Sequence, residues 1–238
     1  EDLAATAVWG TQQVPLTPDP KVDGVFAMWY GKGPGVDRSG DVFKHANAAG
    51  SSRHGGVIVL AGDDHGAKSS TLPHQSDHIF KACGLPVFYP ATVQEYLDLG
   101  LHGWAMSRWS GLWVAMKTVT EVVEASASVD IDPDRVKILI PDDFAYPHHD
   151  PHGLNIRWPD PPLEQEARLC NYKWYAALAY IRANRLNRTV VDSSHAWFGI
   201  ITGGKAWLDT MQALDELGLD AEACEQLGIR VFKVGVIW

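Results

Sequence analysis

Apolar positions along this chain fall into short, separated runs, and their spacing switches repeatedly between two periods. Gly24 to Tyr30, Val57 to Ala61, Leu85 to Phe88, Leu112 to Lys117 and Val136 to Ile140 are compact runs set off by glycine, proline or polar residues, and each reads as a strand. Val57 to Ala61 (VIVLA) is apolar on both faces, which is the pattern of a strand buried inside a parallel sheet. Between the runs lie stretches with helical character. Glu1 to Gln13 carries Ala4, Ala5 and Ala7 for close packing, Asp41 to Ala49 ends at Gly50, Asp77 to Cys83 follows the central strand, and Val93 to Trp109 is the longest of the four. Strands alternating with helices predict an α/β fold with a parallel sheet.

Beyond Ile140 the texture changes. Pro141 to Pro162 mixes prolines with paired acids and with His148, His149 and His152, and reads as a linker or an elaborated loop. Leu163 to Asn184 reads as one long helix. Thr189 to Asp192, Phe198 to Thr202 and Val231 to Ile237 read as strands, with helices from Gly203-Gly204 to Leu217 and from Glu222 to Leu227. The expected organisation is therefore a first α/β domain over 1–145, a linker and long helix over 146–187, and a second α/β domain beginning at 188 and running to 238. The chain opens on Glu1 inside a helical pattern and stops just after a strand-like run, so both domains are expected to be truncated pieces of a longer protein.

Composition narrows the classes. A net charge of −9 with no cluster of Lys or Arg argues against a general nucleic-acid binder. No apolar run approaches membrane-spanning length and no signal peptide is visible, so no membrane partner is expected. Cys83, Cys170 and Cys224 are far apart and show no C-x-x-C spacing. That excludes a disulfide framework, speaks against an iron–sulfur or zinc site built by this chain alone, and fits a reduced, cytoplasmic setting. Ten tryptophans point to large buried aromatic surfaces, between domains or subunits included.

Candidate chemistry gathers after the strands. The central run breaks at Gly62 into Asp63, Asp64, His65, Gly66, Lys68, Ser69 and Ser70, with His74, Gln75 and His78 further on. In an open parallel sheet, ligands bind beyond the carboxyl ends of the strands. A solvated turn with a serine cap for the next helix accounts for the same residues. The upstream turn Gly31-Lys32-Gly33-Pro34-Gly35 lacks the spacing of a phosphate-binding P-loop, and suits a backbone that must approach a ligand closely. Asp37 and Ser39 then mark a helix start. Asp63, Asp64 and His65 together offer a metal-dependent hydrolase as one alternative. His148, His149 and His152 among Asp142, Asp143 and Asp150 offer a second metal cluster, although no helical period aims them. Glu1 on its own reads as a helix-terminal residue near a positive dipole end.

Longer motifs add a resemblance. EDLAATAVWGTQ, GKGPGVDRSGDVFKHANAAG, VIVLAGDDHGAKSSTLPHQS, HGWAMSRWSGLWVAMK and LNIRWPD make the chain similar to the fused bacterial 2-oxoacid:ferredoxin oxidoreductases of the indolepyruvate type, over essentially its whole length. The resemblance implies that residues 1–145 form the domain that binds the aminopyrimidine half of thiamine diphosphate. It places the diphosphate, its Mg²⁺ and the iron–sulfur clusters on other domains. Glu1 falls on the family's glutamate that contacts the pyrimidine ring. A buried carboxylic acid there favours the imino form that removes the proton from the thiazolium carbon. Lys32, Asp63, Asp64, Ser69, Ser70 and Gln75 lie at strand ends that face cofactor and substrate in that family. The implied reaction is oxidative decarboxylation of a 2-oxoacid to an acyl-CoA, with electrons passed to ferredoxin and with a homo-oligomeric enzyme. A non-catalytic scaffold domain of the same fold is the competing expectation.

Overall fold

The structure, a computed structural model, describes residues 1–68, 70–146 and 151–237, so Ser69, the His148-His149 pair and Asp150 lie outside the described residues. The expected alternation is present. In chain order the first part contains α1 (Asp2–Gln12), β1 (Ala27–Lys32), α2 (Gly33–Ala49), β2 (Val57–Asp63), α3 (Asp77–Cys83), β3 (Val87–Phe88), α4 (Val93–Ser110), β4 (Val114–Val119) and α5 (Thr120–Val123). Its strands form a four-stranded, all-parallel sheet in the order β1-β2-β4-β3. The central run is indeed an inner strand. Val57, Val59 and Ala61 pack on one face against Trp29, Val36, Phe43, Phe80 and Trp113, beneath α1, α2 and α3. Ile58 lies on the other face, in a cluster with Leu99, Met106, Val114, Met116 and Tyr180 from β4, α4 and a helix later in the chain. A strand apolar on both faces is the consequence of these two layers.

Helix ends follow local chemistry. Thr92 caps α4, its hydroxyl accepting from Glu95 N at 3.2 Å, and Gly111 in the left-handed region ends that helix. The helix after β1 starts earlier than the sequence predicts. Gly33 is its first residue, so Gly33-Pro34-Gly35 is the opening turn of α2 rather than a loop before it. Proline suits that turn because its missing N–H would have no helical partner there.

Val136 to Ile140 is not a strand. It runs as an extended segment over the surface, and the side chain of Asn184 takes the place of a neighbouring strand. Asn184 Oδ1 accepts from Leu139 N and Asn184 Nδ2 donates to Leu139 O, both at 2.8 Å. The expected long helix is α6 (Pro162–Arg168) and α7 (Trp174–Ala183), joined by a π turn at Leu169–Lys173.

The second part contains β5 (Arg188–Val191), β6 (Phe198–Gly203), α8 (Gly204–Glu216), α9 (Ala221–Leu227) and β7 (Ile229–Val234). These strands make a three-stranded mixed sheet, with β7 central, parallel to β6 and antiparallel to β5. The run expected as one strand from Val231 to Ile237 divides its partners. After β7 the chain turns back along β3, with Tyr89 N donating to Gly235 O and Ile237 N donating to Val87 O, both at 2.8 Å. No helix among the described residues is long and apolar enough to cross a membrane.

Candidate functional site

The carboxyl ends of β1 and β2 lie side by side, because Lys32 pairs with Gly62 in the parallel register. The Lys32 turn and the Asp63-Asp64 loop therefore share one edge of the sheet. Around the opening turn of α2 the chain brings together residues distant in sequence. Glu1 lies against Gly35, where an added Cβ would come 2.8 Å from Glu1 Cγ, and the His74 ring lies so close to Gly33 that a Cβ there would clash with it. Glycine at both positions is what lets the two side chains approach the helix backbone. His74 Nε2 is 3.7 Å from Asp37 Oδ2 on the next turn.

Glu1 is anchored by its backbone. Its carbonyl accepts from Ala5 N at 2.9 Å and from the Trp29 indole N–H at 3.1 Å. Among the described residues its carboxylate has no hydrogen-bond partner, and the side chain is 50% exposed. The burial expected of it is absent in this chain taken alone. At the same turn of α2, Lys32, Pro34, Lys68, Ser70, Thr71, Leu72 and His74 line an open groove of about 590 Å³. Two lysines, a histidine and two hydroxyls at the start of a long helix make the groove suited to an anion. Ala67, in the same loop, adopts a positive φ of 51°, a backbone strain of the kind that clusters at ligand-binding loops.

The remaining predicted residues separate into two groups. Asp63 is buried and turned inward. Its carboxylate accepts from Ser76 Oγ at 2.6 Å and from Ser76 N at 3.1–3.2 Å, and it lies 3.5 Å from Lys117 Nζ. Lys117 is also 2.9 Å from Asp77 Oδ2. Asp64 is buried too, and its carbonyl accepts from Ala67 N in the following turn. Gln75 is exposed and does not line the groove, and Ser69 lies outside the described residues. Asp63, Asp64 and His65 do not converge on a metal position. Among the described residues no group of three or more His, Cys, Asp or Glu does so. All three cysteines are free thiols.

Sequence reasoning missed Lys117, Ser76 and Asp77. The signal was present in a lysine closing an otherwise apolar buried strand, WVAMK, since a charge at that depth requires a partner. Burial pushes the Tyr89 phenol up from its ordinary range, and its ring lies 5.1 Å from Lys117 Nζ.

Comparison with known proteins agrees with this architecture. Residues 187–238 match the family model described as the indolepyruvate ferredoxin oxidoreductase middle domain. The chain is 25% identical over 201 residues to the indolepyruvate oxidoreductase subunit IorA of Methanothermobacter thermautotrophicus, covering 83% of this chain and 31% of that subunit. It is 24% identical over 220 residues to the same subunit of Methanothermobacter marburgensis, covering 90% of this chain and 33% of the subunit. The chain thus spans about a third of the length of these curated relatives. Its fold is shared with the 2-oxoglutarate:ferredoxin oxidoreductase of Magnetococcus marinus, a structure with 2-oxoglutarate, coenzyme A and succinyl-CoA bound. That likeness has a TM-score of 0.61 at 14% identity and covers all of this chain and 45% of the other. Sequence and fold point the same way: the chain is similar in sequence to indolepyruvate oxidoreductase subunits along most of its length, and in fold to a 2-oxoacid:ferredoxin oxidoreductase.

Proposed function

We propose that this chain supplies the pyrimidine-facing part of the active site of a thiamine-diphosphate-dependent 2-oxoacid:ferredoxin oxidoreductase acting on an indolepyruvate-type substrate. Residues 1–145 are then the pyrimidine-binding domain, 146–187 a linker and long helix, and 188–238 the start of a second α/β domain. The observation that carries the reading is the opening turn of α2. That turn takes Glu1, whose carboxylate has no hydrogen-bond partner among the described residues, against Gly35, and it contributes Pro34 to a cationic groove at the carboxyl edge of a parallel sheet.

The residues fit the implied cofactor. Gly35 lets Glu1 lie against the start of α2, and its half-exposed carboxyl group has an oxygen to offer a ring nitrogen. Bound thiamine diphosphate supplies the acidic carbon and the electron sink that decarboxylation of a 2-oxoacid needs. Glu1 holds and returns a proton at its carboxyl oxygen. Lys32 and Lys68 offer positive charge and N–H donors to the substrate carboxylate, while His74 offers a ring nitrogen and Ser70 and Thr71 offer hydroxyls. Mg²⁺, the iron–sulfur clusters and the groups that meet coenzyme A and ferredoxin belong to the rest of the enzyme on this reading, in a reduced cytoplasmic setting. The hydrolase alternative loses ground because Asp63 is committed to Ser76 and lies beside Lys117.

The test is Glu1→Gln in the complete enzyme, read by exchange of the thiazolium proton into deuterated water. An amide cannot share the proton, and loss of a positioned acid–base group slows such a step by ~10²–10⁴-fold. Cofactor affinity should fall only modestly, since the diphosphate is held elsewhere. Exchange at the wild-type rate would remove Glu1 from the chemistry and favour a scaffold role for the domain.

A further inference from the structure

The loop that lines the groove is closed at its base by a buried charge cluster. Residues 64–75 join β2 to α3 and contribute Lys68, Ser70, Thr71, Leu72 and His74 to the groove. The two ends of this loop are tied by Asp63, which accepts from both the N–H and the hydroxyl of Ser76. Lys117 reaches in from the neighbouring strand. Its Nζ lies 2.9 Å from Asp77 Oδ2 and 3.5 Å from Asp63 Oδ2, and its side chain is only 6% exposed. On its other side stands the Tyr89 ring, which packs on Gly204 at the start of α8 so closely that a Cβ there would clash.

Two carboxylates and one ammonium thus share a volume nearly closed to water, where charges interact more strongly than at the surface. Without the ammonium, Asp63 and Asp77 would face each other across the base of the loop with no cation between them. Like charges at that range push their carriers apart. The carriers here are the two ends of the groove-lining loop.

We propose that Lys117 is a positioning residue. By holding Asp63 to Asp77 it fixes the 64–75 loop against the β1–α2 edge, and so sets where the loop's cationic and hydroxyl groups meet a substrate anion. It is not one of the groove-lining residues itself. The substrate half of the inference rests on the reading that the groove takes the carboxylate of a 2-oxoacid.

The experiment uses Lys117→Met and Lys117→Arg in the complete enzyme. Backbone amide exchange over residues 64–76 is measured with no cofactor or substrate added, and kinetics are measured with indolepyruvate and a viologen acceptor. In Lys117→Met, loop amides should exchange roughly tenfold faster or more, with strands β1 and β2 little changed. KM for indolepyruvate should rise about tenfold or more, while exchange of the thiazolium proton, which Glu1 governs, stays within about threefold of wild type. Lys117→Arg keeps the cation and should recover most of both effects. If Lys117→Met does not fold, Asp77→Asn decides: it removes one contact and leaves balanced charges, and loop exchange about threefold faster supports the tie. Wild-type loop exchange and wild-type KM in the folded variant would overturn the proposal. A loosened loop with unchanged KM would keep the tie and count instead against the groove as the substrate site.

Discussion

Lys173 shows what a single buried charge does to this fold. It lies in the π turn, is fully buried, and its ammonium donates to Ala48 O at 3.1 Å and Gly111 O at 3.3 Å, carbonyls at the ends of α2 and α4. A cation suits the carbonyl end of a helix, and here one cation serves two. Burial, reinforced by nearby Arg168, lowers its pKa to about 7 from the ordinary lysine value. The unfolded chain therefore binds more protons than the native one between pH 7 and the usual lysine range. Stability contributed at this position rises with pH across that window and is lowest below pH 7. Comparing urea unfolding of the wild type and Lys173→Met at pH 6 and pH 9.5 isolates the effect, because other titrations cancel in the difference. The wild type should gain on the variant by several kcal/mol as pH rises, and a pH-independent gap would refute the argument. Residues of this kind were poorly legible in the sequence. Lys173 looks like a surface lysine until the fold surrounds it, and Lys117 is marked only by the apolar strand it closes. Lys32 and the Asp63 loop could be put at one sheet edge because strand ends are readable, and Glu1 came only from the resemblance, yet which carboxylate turns inward depends on Ser76 and Lys117, from outside the motif.

Elements were more legible than residues, and their failures have local causes. The central strand and the helices on either side follow from periodicity alone. Val136 to Ile140 fails as a strand because strand pattern does not create a partner, and Asn184 meets only one of its residues. The start of α2 fails because glycines suggest a loop, whereas here they thin the helix so that Glu1 and His74 can touch it. This difference between glycines is testable. Gly100 sits inside α4 with nothing within 4 Å of where an added methyl would stand, so Gly100→Ala should stabilise the protein by roughly 0.5–1 kcal/mol. Gly33→Ala places the same methyl against the His74 ring and should destabilise instead, by about 1–3 kcal/mol, as overpacking does. Chemical unfolding of the two variants decides, and stabilisation by both would mean that His74 moves aside without cost. Loss of indolepyruvate binding confined to Gly33→Ala would connect that contact to the groove.

At the scale of the molecule, the sequence announced a second α/β unit but not how it meets the first. On the proposed reading neither sheet completes an active site, so the chain alone should reduce no viologen dye with indolepyruvate and thiamine diphosphate. Contact between the units has its own chemistry. Lys233 of β7 has a side chain 1% exposed, donates to Glu95 Oε1, and sits 3.5 Å from the centre of the Trp207 ring. Glu95 belongs to the first unit, where its other oxygen accepts from Ala91 N at 2.8 Å ahead of α4. Burial lowers the Lys233 pKa while the Glu95 carboxylate works to raise it. The two partners are thus unequal: Glu95 is 19% exposed and keeps a backbone bond if Lys233 is lost, whereas the Lys233 ammonium, among the described residues, keeps only the Trp207 ring if the carboxylate goes. Glu95→Gln should therefore cost about 3–5 kcal/mol, the usual penalty for a stranded buried charge, and Lys233→Met clearly less. A double-variant cycle makes the asymmetry decisive. Adding Lys233→Met to Glu95→Gln removes the stranded charge and fills its place against Trp207 with apolar volume, so the double variant should be more stable than Glu95→Gln alone. If the second substitution instead destabilised the first further, packing of the lysine stem rather than its charge would be what joins the two units.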